Sequence, residues 1–131
     1  MSVIPETHAD ILNSKGFAHV ATIGPGGEPQ STPVWFGTEG GNIVFSLTTA
    51  RQKYRNLQAD PRLALSITDP ENPYRYLEVR GTVTEFRPDP DNSFINSMAK
   101  KYMGVDEYPF HQPGDVRVVV VVQPLHCTSM G

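Results

Sequence analysis

The sequence predicts a mainly β protein, a small closed barrel of about six antiparallel strands with helices at its periphery. Three observations lead there. Short runs rich in β-branched and aromatic residues recur along the chain, at residues 17–23, 42–47, 62–68 and 117–122. Turn signals separate them, the plainest being Gly24-Pro25-Gly26-Gly27-Glu28-Pro29. The elements read in the order helix, three strands, helix, two strands, helix, one strand.

Pro5, Glu6 and Asp10 suit the first turn of a short capping helix that Gly16 stops. Residues 17–23 and 30–36 flank the glycine-rich turn and read as a hairpin. Pro33 cannot donate to a ladder, so its strand is expected at an edge or bulge. Glu39-Gly40-Gly41-Asn42 turns the chain into a third strand, 42–47. A helix follows, capped by Thr48 or Thr49, and it ends at Asp60-Pro61 because the residue before proline avoids helical angles. In 62–68, Leu63, Leu65 and Ile67 alternate with Arg62, Ala64, Ser66 and Thr68, giving a strand with one buried face. A two-proline loop leads to a long strand, 74–86, where Gly81 predicts a bulge and Tyr74, Tyr76, Glu78 and Arg80 share a face. Asp91 or Asn92 caps a further helix, with Phe94, Ile95, Met98, Tyr102 and Met103 as its stripe and Gly104 as its stop. After the loop 105–115, residues 117–122 are Arg followed by five valines. Such a run needs cover on both faces, which suggests the barrel on one side and a second subunit on the other. Residues 125–129 add a short extension.

The 131 residues fit one domain, 1–131, with one core. A net charge of -3 argues against a general nucleic-acid binder, so any cation cluster is a local site. Cys127 is the only cysteine, which excludes an internal disulfide and favours the cytoplasm; it is read as structural. No apolar run approaches a membrane span, and the start around Met1 and Ser2 does not read as a secretory leader. The four histidines lie in separate segments without metal-ligand spacing, and His19, within an apolar strand, reads as a satisfied core residue. No metal and no catalytic side chain is singled out.

The most informative stretch is the junction at 48–57. Thr48 and Thr49 precede Arg51, Lys53 and Arg55 in the first turns of a helix. Cations are mildly unfavourable there, because the helix N-terminus already carries partial positive charge. A bound anion reverses the sign, since backbone N–H groups, dipole and cations all point at it.

The run Ala50-Arg51-Gln52-Lys53-Tyr54-Arg55-Asn56-Leu57 and on to Leu65 resembles the pyridoxamine 5′-phosphate oxidase-like split-barrel flavoproteins. So do Gly16 to Ile23, Gly27 to Trp35, and Leu77-Glu78-Val79-Arg80-Gly81-Thr82-Val83, in that family's order. Within the family the chain looks most like small members that use the deazaflavin coenzyme F420. The resemblance implies a six-stranded antiparallel split β-barrel and a homodimer with cofactor sites between subunits. It implies that Arg51 and Lys53 bind the cofactor phosphate or nearby acidic groups, with Thr48, Thr49, Arg55 and Asn56 beside them. Gln30, Ser31, Pro33 and Trp35 would run under the ring system, and Tyr74 and Tyr76 would line the substrate mouth or reach in from the neighbouring subunit. The implied activity is hydride transfer from reduced F420 to an unsaturated small molecule such as an enone, quinone or tetrapyrrole. The alternatives are an FMN-dependent oxidoreductase and a non-enzymatic F420 carrier. Residues 91–114 match nothing in the family pattern, which leaves the substrate pocket unassigned. The C-terminus lacks the Arg-x-His pattern of pyridoxamine phosphate oxidases proper, which argues against that reaction.

Overall fold

In a computed structural model, residues 3–131 are described; Met1 and Ser2, where the leader question arose, lie outside them. Seven strands form one antiparallel sheet: β1 (Ala18–Ile23), β2 (Pro29–Val34), β3 (Phe36–Glu39), β4 (Asn42–Thr48), β5 (Arg62–Asp69), β6 (Asn72–Pro88) and β7 (Arg117–Met130). Two α-helices, α1 (Gln52–Ala59) and α2 (Ser93–Met103), accompany them. The opening helix, Glu6–Asn13, is a 3-10 helix whose Ile11 enters the core.

The strand order is β2-β1-β5-β6-β7-β4-β3. The two edge strands, β2 and β3, are consecutive in sequence and joined by Trp35 alone. A sheet whose edges lie one residue apart has to curl round, so this one is a barrel split between β2 and β3. The count is therefore seven strands, not six. The extra one arises because the expected strand 30–36 breaks at Trp35, where the chain leaves one edge and starts the other.

The inner faces form the core, with Phe36, Phe45, Leu65, Ile67 and Val79 fully buried. Leu63, Leu65 and Ile67 all point inward, as their alternation requires. Gly81 sits at a register shift against β7, where an added Cβ would run into the Gln123 carbonyl. A second shift between Val83 and Glu85 accounts for the opposite parity of Val83 and Phe86.

Several expectations are corrected. Val119 and Val121, on the outer face of β7, pack with Val44 and with Phe94 of α2. The second cover of the valine run thus comes from the same chain and does not by itself call for another subunit. Strand β7 is continuous to Met130 rather than ending in a separate extension. Thr48 and Thr49 do not cap α1; Arg51 is the N-cap, without a side-chain cap hydrogen bond. Neither Asp91 nor Asn92 caps α2 through its side chain. The buried Asp89 does so instead, accepting from the Phe94 and Ile95 amides at 3.2 and 3.4 Å and from Ser93 Oγ at 3.2 Å. His19 is exposed on β1, and the buried histidine is His8, with Nε2 3.0 Å from the Met130 carbonyl.

Helix α2 lies against the split. Tyr102 Oη donates to the Gly16 carbonyl (2.7 Å) and accepts from the Phe36 amide (3.2 Å), while Lys101 Nζ donates to the Phe36 carbonyl (2.8 Å). Burial pushes the Tyr102 phenol up and the Lys101 ammonium down. These bonds tie α2 to the first residue of β3 and to the chain just before β1, and they satisfy backbone groups there. Among the described residues no helix is long and apolar enough to cross a membrane.

Candidate binding cleft at the split

A cleft of about 720 Å3 opens where the split, the start of α1 and the outer face of β4–β7 meet beneath α2. That lies within the roughly 300–1,000 Å3 of small-molecule sites. Its position follows from the fold: the edge strand β2 leaves backbone groups unpaired on one side, and the helices cannot cover the gap completely.

Of the site residues expected from sequence, Gln30, Pro33, Trp35, Thr48, Arg51 and Lys53 line this cleft. The other six do not. Ser31 is exposed on β2, pointing opposite to Gln30 and Thr32. Thr49 leaves the cleft where its amide bonds the Val116 carbonyl at 2.9 Å. Arg55 turns back to the Ala50 carbonyl (3.0 Å) and Gln52 Oε1 (2.8 Å), so it braces the junction. Asn56 is buried and donates to Thr22 Oγ1 (3.0 Å) and Gln30 Oε1 (3.3 Å), while accepting from Gln52 Nε2 (2.8 Å). It is a positioning residue, tying α1 to β1 and holding Gln30 at the cleft wall. Tyr74 and Tyr76 lie at the start of β6, outside this cleft; Tyr74 is 81% exposed, and Tyr76 pairs with Met130.

Lys53 dominates the electrostatics. It is only 8% exposed, and among the described residues no carboxylate and no hydrogen-bond partner meets it. Burial, and then the charge of Arg51, hold its ammonium down to about 8. No acidic side chain lines the cleft. A buried cation without a partner is costly, and the cost is removed when an anion arrives.

Sequence reasoning missed a third cation. Arg117, at the start of β7, pairs in register with Thr48 and projects into the same cleft. Its Nη1 donates to Ser46 Oγ at 3.1 Å, and its guanidinium carbon lies 4.7 Å from the centre of the Tyr108 ring. Its Nε is buried and has no partner among the described residues, and the same holds for Thr32 Oγ1, another residue of the lining. The available signal was a lone arginine heading a pure valine strand, a charge that had to leave the sheet face somewhere. The aromatic lining was also missed. Trp35 stacks on Tyr102 at 5.2 Å and meets Tyr108 edge-on at 5.8 Å, and Tyr108 meets Phe110 at 5.7 Å. Tyr108 and Phe110 belong to the loop that sequence left unassigned, anchored by the Tyr108 amide on Asn96 Oδ1 (2.9 Å).

Fold and cleft together define a split-barrel protein with a half-aromatic, cationic site suited to a flat anionic ligand. The chain belongs to the pyridoxamine 5′-phosphate oxidase family, whose model matches residues 4–130. Among solved structures it is similar to an F420 reductase, at 41% identity over 95% of this chain and 98% of that one, with a TM-score of 0.86. It is also similar to a conserved hypothetical protein of Mycobacterium tuberculosis, at 27% identity over 98% and 86% of the two chains (TM-score 0.76). General stress protein 26 of Bacillus anthracis, 17% identical over 95% and 92% (TM-score 0.70), shares the fold. No curated protein matches the chain by sequence.

Proposed function

We propose that the protein is an F420-dependent reductase, passing a hydride from reduced deazaflavin to an unsaturated small molecule such as an enone, a quinone or a tetrapyrrole. The observation that carries this reading is the unpaired Lys53, in an acid-free cleft of a chain 41% identical to an F420 reductase. The residues fit the group: among the described residues, buried polar atoms at Thr32 and Arg117 lack partners, and the cleft cations Arg51, Lys53 and Arg117 lack counter-charges.

Arg51 and Lys53 would hold the phosphate and neighbouring acidic groups, with Thr48 beside them. The free side of edge strand β2, from Gln30 to Val34, would face the ring edge with its backbone groups, Pro33 contributing no N–H. Bound there, the deazaflavin would supply the hydride chemistry. The chain supplies position and charge, and Leu47, Ile95 and Met98 supply an apolar wall that limits water. The same cations suit the phosphate of FMN, the cofactor reading that follows from the family match.

Titration of the purified protein with F420 and with FMN decides between them, since the deazaflavin absorbs at shorter wavelength. F420 binding followed by turnover with a panel of acceptors supports the proposal. Binding of FMN alone overturns the cofactor, and F420 binding without turnover on any acceptor leaves a carrier. We further propose that the working unit is a cytoplasmic homodimer. The family resemblance supports it, as do exposed Tyr74 and Met130 at one end of the β6–β7 ladder. Sedimentation giving a 14.5 kDa monomer at micromolar concentration would remove it.

A further inference from the structure

The chain has four lysines, and three of them are ordinary. Lys15 and Lys100 are exposed, and Lys101 gives its ammonium to the Phe36 carbonyl at 2.8 Å, outside the cleft. Lys53 alone lines the cleft, 8% exposed and without a partner among the described residues. The charged and titratable side chains that share the lining are Arg51 beside it, Arg117 from β7 and Tyr108 from the loop 105–116; no carboxylate is among them. Burial, and then the charge of Arg51, lower the Lys53 ammonium to about 8. At pH 7.5 about a quarter of it is therefore free amine, against about a thousandth of a lysine with the ordinary value. A desolvated amine beside another cation is a nucleophile near neutral pH. The cleft cations also collect anions, and Arg117 keeps a buried Nε–H unused among them. A reagent that is both anion and electrophile is thus concentrated where the free amine lies.

We infer that Lys53 is an acylation site for acyl phosphates, whose phosphoryl group Arg51 and Arg117 hold while the Lys53 nitrogen attacks the acyl carbon. A C–N bond forms and the C–O bond to phosphate breaks. Phosphate leaves with the bonding pair, its growing charge met by the two guanidinium groups, and the amine proton passes to water. Neither carbon nor nitrogen changes oxidation state, so no further reagent is needed. The product is a neutral amide, and the cation that an incoming anion would pair with is gone. Acylation therefore switches off anion binding in the cleft, and a bound anion in turn shields the amine. The effect on F420 rests on the reductase reading; the acylation itself does not.

The cofactor-free protein is treated with acetyl phosphate, or with N-hydroxysuccinimidyl acetate as an uncharged donor of the same acetyl group, and each lysine is followed by mass spectrometry. Acetyl phosphate should label Lys53 at least about tenfold faster than Lys15 or Lys100, at a rate that levels off above about pH 8. Inorganic phosphate should slow that labelling. Arg51→Gln should cut the acetyl phosphate rate at Lys53 about tenfold relative to the uncharged donor, a ratio that cancels any change in the amine itself. Acetylated wild type should bind F420 about tenfold to a hundredfold more weakly than untreated protein. Lys53→Arg, a cation without an acylatable amine, should keep its own affinity through the same treatment; should it melt early, Lys53→Met serves the same comparison. Labelling of Lys53 no faster than of Lys15 would overturn the inference, as would a donor ratio that Arg51→Gln and inorganic phosphate leave unmoved. Unchanged F420 affinity after complete acetylation of Lys53 would overturn the switch. If untreated wild type fails to bind F420, the reductase reading fails, while the labelling rates still judge the site.

Discussion

Replacing Lys53 by Met should firm the empty protein and weaken its ligand. Met keeps most of the buried stem and removes the charge. The folded state lowers the Lys53 ammonium from 10.5 to about 8, chiefly by burial. Between those values the unfolded chain holds the proton and the folded chain does not, so stability rises with pH across that window. Below about 8 both states are charged and the full penalty applies; above 10.5 both are neutral and it vanishes. At face value the shift corresponds to about 3 kcal/mol. Lys53 faces an open cleft, and solvent screening reduces this to about 1–2 kcal/mol. At pH 7 Lys53→Met should therefore raise the melting temperature of the empty protein by roughly 3–8 °C, and lose the wild type's rise in stability from pH 8 to 10.5. The anion it serves should bind about tenfold to a hundredfold more weakly. In wild type, binding recharges Lys53, so affinity should fall as pH climbs above about 8, accompanied by proton uptake. Calorimetric melts across that pH range and F420 titrations in two buffers of different ionisation enthalpy check both halves. A lower melting temperature with unchanged affinity would refute the reasoning, because Lys53 would then belong to the scaffold.

Gly81→Ala sets a Cβ against the Gln123 carbonyl at the β6–β7 bulge and should cost about 1–3 kcal/mol, read as an earlier urea midpoint at unchanged slope. Asp89→Ala uncaps α2, leaving the Phe94 and Ile95 amides unmet, and should cost about 1–2 kcal/mol; hydrogen exchange should quicken first in residues 93–97. Cys127→Ser should leave ligand affinity unchanged, since it lies ten residues along β7 from Arg117, about 30 Å by strand rise. The Cys127 thiol, pushed up by burial and then by Glu78, should alkylate slowly at neutral pH.

What the sequence determined by itself is local. The alternation of Leu63, Leu65 and Ile67, the stop at Asp60-Pro61, the bulge at Gly81 and the edge placement of Pro33 each follow from a side-chain period or a backbone restriction within a few residues. The cations at Arg51 and Lys53 were legible for the same reason, because one strand-to-helix junction brings them together. What only the tertiary structure decided is long-range. Nothing near Val119 says that Phe94 will cover it. Arg117 meets Ser46 across 71 residues, and Trp35 meets Tyr108 across a similar span. Those partners are chosen by strand order, here β2-β1-β5-β6-β7-β4-β3, and strand order is settled by which faces pack best once all seven strands are present. The α1 half of the cleft comes from one continuous stretch of chain and could be read beforehand. The Arg117 half comes from β2, β7 and the loop 105–116, and it exists only after the barrel has curled until β2 and β3 meet at Trp35.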